Sequence, residues 1–346
     1  MSLTAAALRR VAVAAQTTTA AGITWALASF AAWSWPAALA TGAAIVLALF
    51  CASVAIAFFV TLNGLGLPKK DRIALMPADT RPAPLGIARA LRCYASECMV
   101  VFRMFNWLQP FRSRLKIPPS ADASPGRDAP TVLLVHGYGC NHAVWLDMAP
   151  HLAAAGYRCE TIDLEPVLGD IDDYAAPLLA RMHDIATRTG RPPLLVCHSM
   201  GGLAARAAQV RAVHSTGSEA PCSGIVTLGS PHHGCVLARH GSGLNARQMR
   251  WLSPWLRALA DAETTAQRAR IVSIFSWHDS IAGPAGTSWL EGARHVALRG
   301  IGHVSLLRHP DAIAATLDAL AMLATRATGA NISPAPVAKP RATEPT

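Results

Sequence analysis

The most conspicuous absence in this chain is charge near its start. Residues 11–68 hold no Asp, Glu, Lys, Arg or His, and charged residues make up only 15% of the 346-residue chain, against about 25% in an average soluble domain. The run is far longer than the apolar core of a signal peptide. Because a membrane span needs about 20 apolar residues, segment 1–68 is predicted to form two transmembrane helices, near 12–31 and 37–62. A buried core hairpin would instead need a large fold around it.

Basic residues flank the uncharged run on both sides: Arg9, Arg10, Lys69, Lys70 and Arg72. Basic residues stay on the cytoplasmic side of a membrane, and tryptophans prefer its interface. We therefore expect the Trp33–Pro36 turn to face outward and the rest of the chain to lie in the cytoplasm. A single span would export it instead.

The sequence also lacks paired cysteines and a recognisable nucleic-acid-binding module. The eight cysteines show no CxxC pair or disulfide-type spacing, which favours free thiols in a reducing compartment. No nucleic-acid-binding module accompanies the net charge of +10. Residues 1–130 carry 13 Lys and Arg against 5 Asp and Glu, whereas the remainder carries 18 against 16. This distribution predicts attraction to anionic membrane lipids rather than to nucleic acid, and protein partners are left open.

A connector is predicted over 69–128. Its section 88–108 mixes apolar residues with arginines in a helical pattern, so it either lies in the headgroup layer or packs on the domain that follows. The tail 327–346 is rich in Pro, Ala and Thr and is expected to be disordered.

Segment 129–326 alternates short apolar runs with helical stretches, which predicts an α/β fold with a mostly parallel sheet and helices on both faces. The strand candidates are 131–135, 157–162, 194–196, 224–228, 271–275 and 295–298. The helix candidates are 143–155, 171–188, 200–213 and 311–326. An insertion at about 235–270 resembles a lid, and its apolar residues either contact acyl chains or pack on the core.

The candidate nucleophile is Ser199. An apolar strand, Leu194 to Val196, leads directly into Cys-His-Ser-Met-Gly-Gly, and a helix follows. A strand–turn–helix of this kind exposes a serine on a strained turn, and it needs small neighbours because the chain folds back on itself. Gly201 and Gly202 supply them, while Cys197 stands where the pattern usually has glycine. A chance serine in a plain turn is the alternative reading.

A serine hydroxyl needs a base to remove its proton and a carboxylate to orient that base. In this type of fold they follow the serine in the order acid, then histidine. Asp279 lies shortly after the strand candidate 271–275, and His303 follows the next one in a glycine-containing loop, so these two are predicted to complete a catalytic triad. Asp261 and Glu263 are weaker candidates because they lie in a helical stretch.

Acyl transfer also needs donors for the negative charge that forms on the carbonyl oxygen. The N–H of Met200, directly after the serine, is one predicted donor. The N–H of Tyr138 is the other, in a loop that follows the first strand and reads His136-Gly137-Tyr138-Gly139. The two glycines permit close approach of the backbone, and His136 is expected to support the loop. No cofactor or metal site is predicted.

With these motifs assembled, residues 131–326 resemble the bacterial lipase and esterase branch of the α/β-hydrolase superfamily. The likeness rests on V-H-G-Y-G, C-H-S-M-G-G, the run T-L-G-S-P-H-H-G at 227–234, and the positions of Asp279 and His303. It implies an α/β-hydrolase fold and a triad of Ser199, Asp279 and His303. The cysteine at 197 and the amino-terminal hairpin depart from secreted lipases, and the hairpin argues against a secreted role.

The leading hypothesis is therefore an inner-membrane serine hydrolase of an esterase or lipase type, with its catalytic domain in the cytoplasm. Its expected substrate is a small hydrophobic or lipid-like carboxylic ester. The same triad serves acyltransferases and thioesterases, which stay open as alternatives. A non-catalytic membrane scaffold is the third hypothesis, since a fold alone does not prove a function.

Overall fold

The computed structural model describes residues 4–68, 82–115 and 129–327. Two long helices form from the uncharged run, α1 (Ala5–Phe30) and α2 (Trp35–Leu62). Both are long and apolar enough to cross a membrane, by length and composition. The side chain of Thr4 caps the start of α1, and a proline occupies the first turn of α2. The expectations for Lys69, Lys70, Arg72 and the tail beyond residue 327 lie outside the described residues.

The connector contains helix α3 (Ile87–Arg103), which continues through a π-helical turn into the short α4 (Gln109–Phe111). One face of this helical segment is buried on the sheet domain and includes Cys93, Val100 and Met104. The opposite face exposes large apolar side chains: Ile87, Leu91, Met99, Phe102, Trp107 and Phe111. Segment 88–108 was expected either to lie in the headgroup layer or to pack on the domain. Packing on the domain accounts for only one of its faces.

Six parallel strands form one sheet in the order β2-β1-β3-β4-β5-β6. The strands are Thr131–Val135 (β1), Arg158–Ile162 (β2), Leu194–His198 (β3), Gly224–Leu228 (β4), Ile271–Ser276 (β5) and Arg294–Leu298 (β6). The central strands β1, β3, β4 and β5 are buried along their whole length, as expected for a sheet covered on both faces. The predicted fold class is confirmed.

Helices cover both faces of the sheet. They are Ala149–Ala154 (α5), Ile171–Thr189 (α6), Met200–Thr216 (α7), Leu244–Gln248 (α8), Pro254–Ala262 (α9), Thr265–Arg268 (α10) and Pro310–Ala327 (α11). Helices α6 and α7 pack into the core on one face, and α5, α11 and the end of α3 pack on the other. The helix expected over 143–155 is shorter: a 3₁₀ turn covers His142–Trp145, and α5 begins afterwards with a proline in its first turn.

The insertion at 235–270 contains α8, α9 and α10. Its apolar residues Met249, Leu256 and Leu259 are buried in the core beside α7. Trp251 instead lines a cavity of about 270 Å³ together with Leu65 and Pro68, which follow α2.

Both domain-side ends of the α1–α2 hairpin contact the sheet domain. Arg9, in α1, donates a hydrogen bond to the carbonyl of Gly139 at 3.1 Å. At the end of α2, the hydroxyl of Thr61 donates to the carbonyl of Ser280 at 3.1 Å. These two contacts tie the hairpin to the loop after β1 and to the loop after β5.

Candidate active site

Ser199 lies at the turn between β3 and α7, in the strained conformation that the motif predicts. Its φ is 54° and its ψ is −124°, in a region that non-glycine residues rarely adopt. Its N–H donates to the carbonyl of Leu228 on β4 at 2.9 Å. Strain of this kind persists only where the surroundings enforce it, and here the adjoining strand does so.

Close packing around the turn explains its small residues. A Cβ atom on Gly201 would lie 2.5 Å from the carbonyl oxygen of Val135, and one on Gly202 would collide with the side chain of Ser230. Cys197, which departs from the usual glycine, is fully buried in the core. The structure therefore accommodates a side chain at position 197 but none at positions 201 and 202.

Asp279 and His303 form a buried hydrogen-bonded pair. Asp279 follows β5, His303 follows β6, and Nδ1 of the imidazole lies 2.8 Å from Oδ2 of the carboxylate. The other carboxylate oxygen accepts the N–H groups of Ile281 and Ala282 at 2.8 and 2.6 Å. A Cβ on Gly229 would lie 2.9 Å from the carboxylate. One oxygen of Asp279 thus bonds the imidazole, while the other is fixed by the backbone of its own loop.

The serine turn and the histidine loop meet through His198. Its ring centroid lies 4.6 Å from that of His303, and its Nε2 donates to the carbonyl of His303 at 3.2 Å. Among the described residues the hydroxyl of Ser199 has no hydrogen-bond partner. Catalytic hydrogen bonds are often long in ligand-free enzymes and shorten when substrate binds.

The two histidines differ in their preference for a proton. Burial, followed by the charge of His303, holds the pKa of His198 well below its ordinary value. Burial also lowers the pKa of His303, but the charge and hydrogen bond of Asp279, together with the charge of Glu97, outweigh it and raise that pKa. His303 is therefore the ring that is suited to accept a proton during a reaction.

The loop after β1 presses against the serine. A Cβ on Gly137 would lie 2.9 Å from the Cβ of Ser199. The buried His136 donates from Nδ1 to the carbonyl of Gly137 at 2.9 Å and accepts the N–H of Leu164 at its Nε2, also at 2.9 Å. His136 thus braces the loop through both of its ring nitrogens.

The predicted oxyanion donors belong to this loop and to the helix after the serine. The N–H of Tyr138 makes no backbone hydrogen bond among the described residues. Met200 is the first residue of α7, where helix geometry leaves the N–H without an intrahelical partner. The Tyr138 hydroxyl donates to the carbonyl of Ser242 at 2.7 Å and so ties the loop to the insertion. Gly139, which has a φ of 64°, receives the hydrogen bond from Arg9.

One residue at this site was not predicted. Glu97, on α3, is fully buried, and its carboxylate accepts hydrogen bonds from Ser280, Val304 and Ser305. The available signal was modest: it is the only acidic residue in 82–115. Among the described residues no group of three or more His, Cys, Asp or Glu side chains forms a metal site.

Comparison with sequence families gives a match to the alpha/beta hydrolase family over residues 132–339. Among characterised proteins, the chain is 32% identical over 106 residues to a pimeloyl-[acyl-carrier protein] methyl ester esterase from Sodalis glossinidius. That alignment covers 30% of this chain and 38% of the esterase. The chain therefore spans less than half of that relative's length.

Among solved structures, lipase B from Aspergillus fumigatus has a TM-score of 0.51 at 14% identity, covering 87% of this chain and 85% of the lipase. The mature lipase BlEst2 from Bacillus licheniformis has a TM-score of 0.48 at 20% identity, covering 60% of this chain and 96% of that one. The likeness to the Aspergillus lipase, at this identity, concerns the fold alone.

Proposed function

The chain belongs to the alpha/beta hydrolase family, and we propose that it is a membrane-anchored serine hydrolase of hydrophobic carboxylic esters. The observation that carries the proposal is the buried hydrogen bond of 2.8 Å between Asp279 and His303, beside a strained serine turn. A carboxylate that fixes an imidazole next to an activated serine is the arrangement that acyl transfer requires.

In the proposed reaction, His303 takes the proton of Ser199 while the serine oxygen attacks the ester carbonyl. The N–H groups of Tyr138 and Met200 donate to the oxyanion that forms. Collapse of this intermediate breaks the ester bond, and the imidazolium returns its proton to the departing alcohol. Water then attacks the acyl-serine while His303 takes its proton. When the bond between the acyl group and the serine oxygen breaks, His303 returns that proton to Ser199 and the carboxylic acid is released.

The test uses the full-length protein in detergent with p-nitrophenyl esters of short and medium acyl chains. We expect turnover that stops as a fluorophosphonate probe reacts with one serine, and peptide mapping should assign the probe to Ser199. The heat-denatured chain is the control, and it should stay unlabelled because reactivity depends on the folded site. Persistent turnover after complete labelling, or a label on another serine, would contradict the proposal.

The membrane part of the proposal is supported by the two ends of the hairpin. Arg9 and Thr61 lie at opposite ends of the hairpin sequence, yet each contacts a loop of the catalytic domain. Two antiparallel spans return the chain to its starting side, whereas one span does not. The arginines at the start of α1 then keep this side cytoplasmic, in line with the positive-inside preference.

The position of helix α3 alongside α2 matches the surface of a membrane that the hairpin spans. The hydrocarbon core is about 30 Å thick, which corresponds to about 20 helical residues counted from Trp35. Tyr94 on α3 donates to the carbonyl of Cys51 at 2.7 Å, and the ring of Phe102 lies 5.6 Å from that of Phe50. Counted from Trp35, these contacts lie about 22 to 24 Å along α2. The exposed apolar face of α3 is therefore just inside the level where the core ends, and we propose that it lies among the lipid headgroups and upper acyl chains.

The topology has a direct test. Ser34 lies in the outer turn and its side chain makes no capping hydrogen bond, so Ser34→Cys should be tolerated. In intact cells a membrane-impermeant maleimide is expected to label Ser34→Cys but not Glu291→Cys, an exposed position in the catalytic domain. Opening the membrane should then permit labelling of both, with the parent chain as the background. Labelling of Glu291→Cys in intact cells would favour a single span and an exported domain.

The proposed substrate class is supported by a cavity beside the end of α2. The cavity of about 270 Å³ beside the end of α2 is lined by Leu65, Leu67, Val236 and Trp251, together with Arg239 and other residues. Apolar groups of the hairpin and of the sheet domain thus share one cavity. Val236, which lines it, donates its N–H to the carbonyl of Gly283 at 3.2 Å, in the loop after β5 that carries Asp279. We propose an ester with a hydrophobic acyl part, and methyl esters belong in the substrate panel because the matched esterase is named for one.

A further inference from the structure

Glu97 is a fully buried carboxylate that lies before the segment matched by the alpha/beta hydrolase family, which begins at residue 132. Burial of an ionised carboxylate is strongly unfavourable unless hydrogen bonds replace its lost hydration. A chain retains such a group only where its surroundings are built to receive it. The hydrogen-bond donors that surround the carboxylate of Glu97 therefore indicate its role.

Its hydrogen bonds all reach the two loops that carry Asp279 and His303. Oε1 accepts the hydroxyl of Ser280 at 2.7 Å and the N–H of Val304 at 2.9 Å. Oε2 accepts the N–H and the hydroxyl of Ser305 at 3.0 and 2.6 Å. Each donor lies within two residues of a predicted triad residue.

A second link runs through Ser280. Its hydroxyl accepts the N–H of His303 at 3.3 Å while it donates to Glu97. Gly302, directly before the histidine, completes the fit, because a Cβ there would collide with the Glu97 carboxyl group. The histidine loop therefore packs closely around this carboxylate at positions 302, 304 and 305.

We propose that Glu97 is a positioning residue, which fixes the His303 loop and supplies a second negative charge to its imidazole. This inference rests on the proposed serine hydrolase function, since it assigns Glu97 a part in the same reaction. It also means that the catalytic apparatus is completed by α3, the helix whose other face is proposed to lie in the membrane surface.

The electrostatic part of the proposal concerns the imidazolium that forms when His303 takes the serine proton. The titratable groups that face His303 or Glu97 are Asp279 after β5, His198 at the end of β3, and the thiols Cys93 and Cys98 on α3. Asp279 and Glu97 itself stabilise the protonated ring of His303, and burial opposes its protonation. Burial also holds the pKa of His198 well below its ordinary value. Removing the charge at position 97 should therefore lower the pKa of His303.

The principal variant is Glu97→Gln in the full-length enzyme. Its amide nitrogen faces donors where the wild type has an acceptor, so at least one buried hydrogen bond is lost. We expect kcat to fall by about 10- to 100-fold with KM nearly unchanged. The acid limb of the kcat/KM profile, which reports the base of the free enzyme, should move to lower pH.

Two further variants separate charge from geometry. Glu97→Asp keeps the charge on a shorter arm, so its kcat should fall while its acid limb stays nearer to that of the wild type than the limb of Glu97→Gln. Ser305→Ala removes one of four hydrogen bonds and should have a smaller effect on kcat. The matched control is Glu291→Gln, since Glu291 is exposed and lies outside the site.

The outcomes are distinct. Wild-type kcat in Glu97→Gln, or a lowered kcat with an unmoved acid limb, would overturn the positioning role. If Glu97→Gln does not yield a folded protein, wild-type kcat in both Glu97→Asp and Ser305→Ala would overturn it. Undiminished turnover by Ser199→Ala would instead refute the serine hydrolase function itself, whatever the Glu97 variants do.

Discussion

Ser199→Ala is expected to lower kcat for ester hydrolysis by about 10⁶-fold, the loss typical of removing a nucleophilic serine. The residual rate should still exceed that of water, because the proposed oxyanion donors Tyr138 and Met200 remain. The fold should persist. Alanine and serine are equally disfavoured at a φ of 54°, and the lost hydroxyl has no hydrogen-bond partner among the described residues. The measurement is the rate of p-nitrophenol release, with the melting temperature of each protein recorded alongside.

The matched control is Ser223→Ala. Ser223 precedes β4, at the opposite end of the strand from the serine turn, and its hydroxyl donates to the carbonyl of Pro192 at 2.9 Å. Losing this peripheral hydrogen bond should change the free energy of unfolding by only about 0.5 kcal/mol. Because Ser223 is remote from the serine turn, kcat should stay within about twofold of the wild-type value. Comparable losses in both variants would mean that Ser199→Ala acts through folding, and the nucleophile would have to be sought elsewhere.

The topology of the sheet explains why the sequence alone could indicate which residues lie together at the candidate site. In parallel strands the carboxyl ends share one edge, so residues that directly follow β3, β5 and β6 converge there. Ser199, Asp279 and His303 each follow such a strand, and their order along the chain matched a known arrangement. The positions of the strands could be predicted because buried parallel strands are continuous apolar runs in the sequence.

Glu97 illustrates what local patterns do not reveal. Its partners lie 183 to 208 residues further along the chain, and periodicity carries no information about contacts at such separation. A lone carboxylate among arginines on an amphipathic helix is most simply interpreted as a surface charge. Only the packing of α3 against the histidine loop distinguishes a buried acceptor from a solvated one.

The helices around the sheet were less predictable than the strands. The stretch 143–155 looked continuous because its apolar residues are frequent, but Pro150 starts a new helix and the preceding residues form a 3₁₀ turn. In the insertion, helical spacing identified an apolar face without saying what covers it. Met249, Leu256 and Leu259 face the core, so contact with the domain covers them.

Asp279→Asn is expected to lower kcat by about 10⁴-fold by fixing His303 in the wrong tautomer. The N–H groups of Ile281 and Ala282 hold one carboxylate oxygen, and in the variant they should select the amide oxygen for that place. The amide NH₂ then faces Nδ1 of His303, which must become an acceptor. The proton moves to Nε2, toward the serine, so the ring can no longer act as a base.

Because the amide is nearly isosteric with the carboxylate, this variant should retain its fold and its fluorophosphonate-accessible serine while labelling far more slowly. Asp318→Asn, an exposed position on α11, is the control for loss of a negative charge, and it should hydrolyse esters at the wild-type rate. Asp279 also raises the pKa of His303, so the remaining activity of Asp279→Asn should have its acid limb at lower pH. Near-wild-type kcat would show that the imidazole is oriented without Asp279, and the triad would then lose its acid.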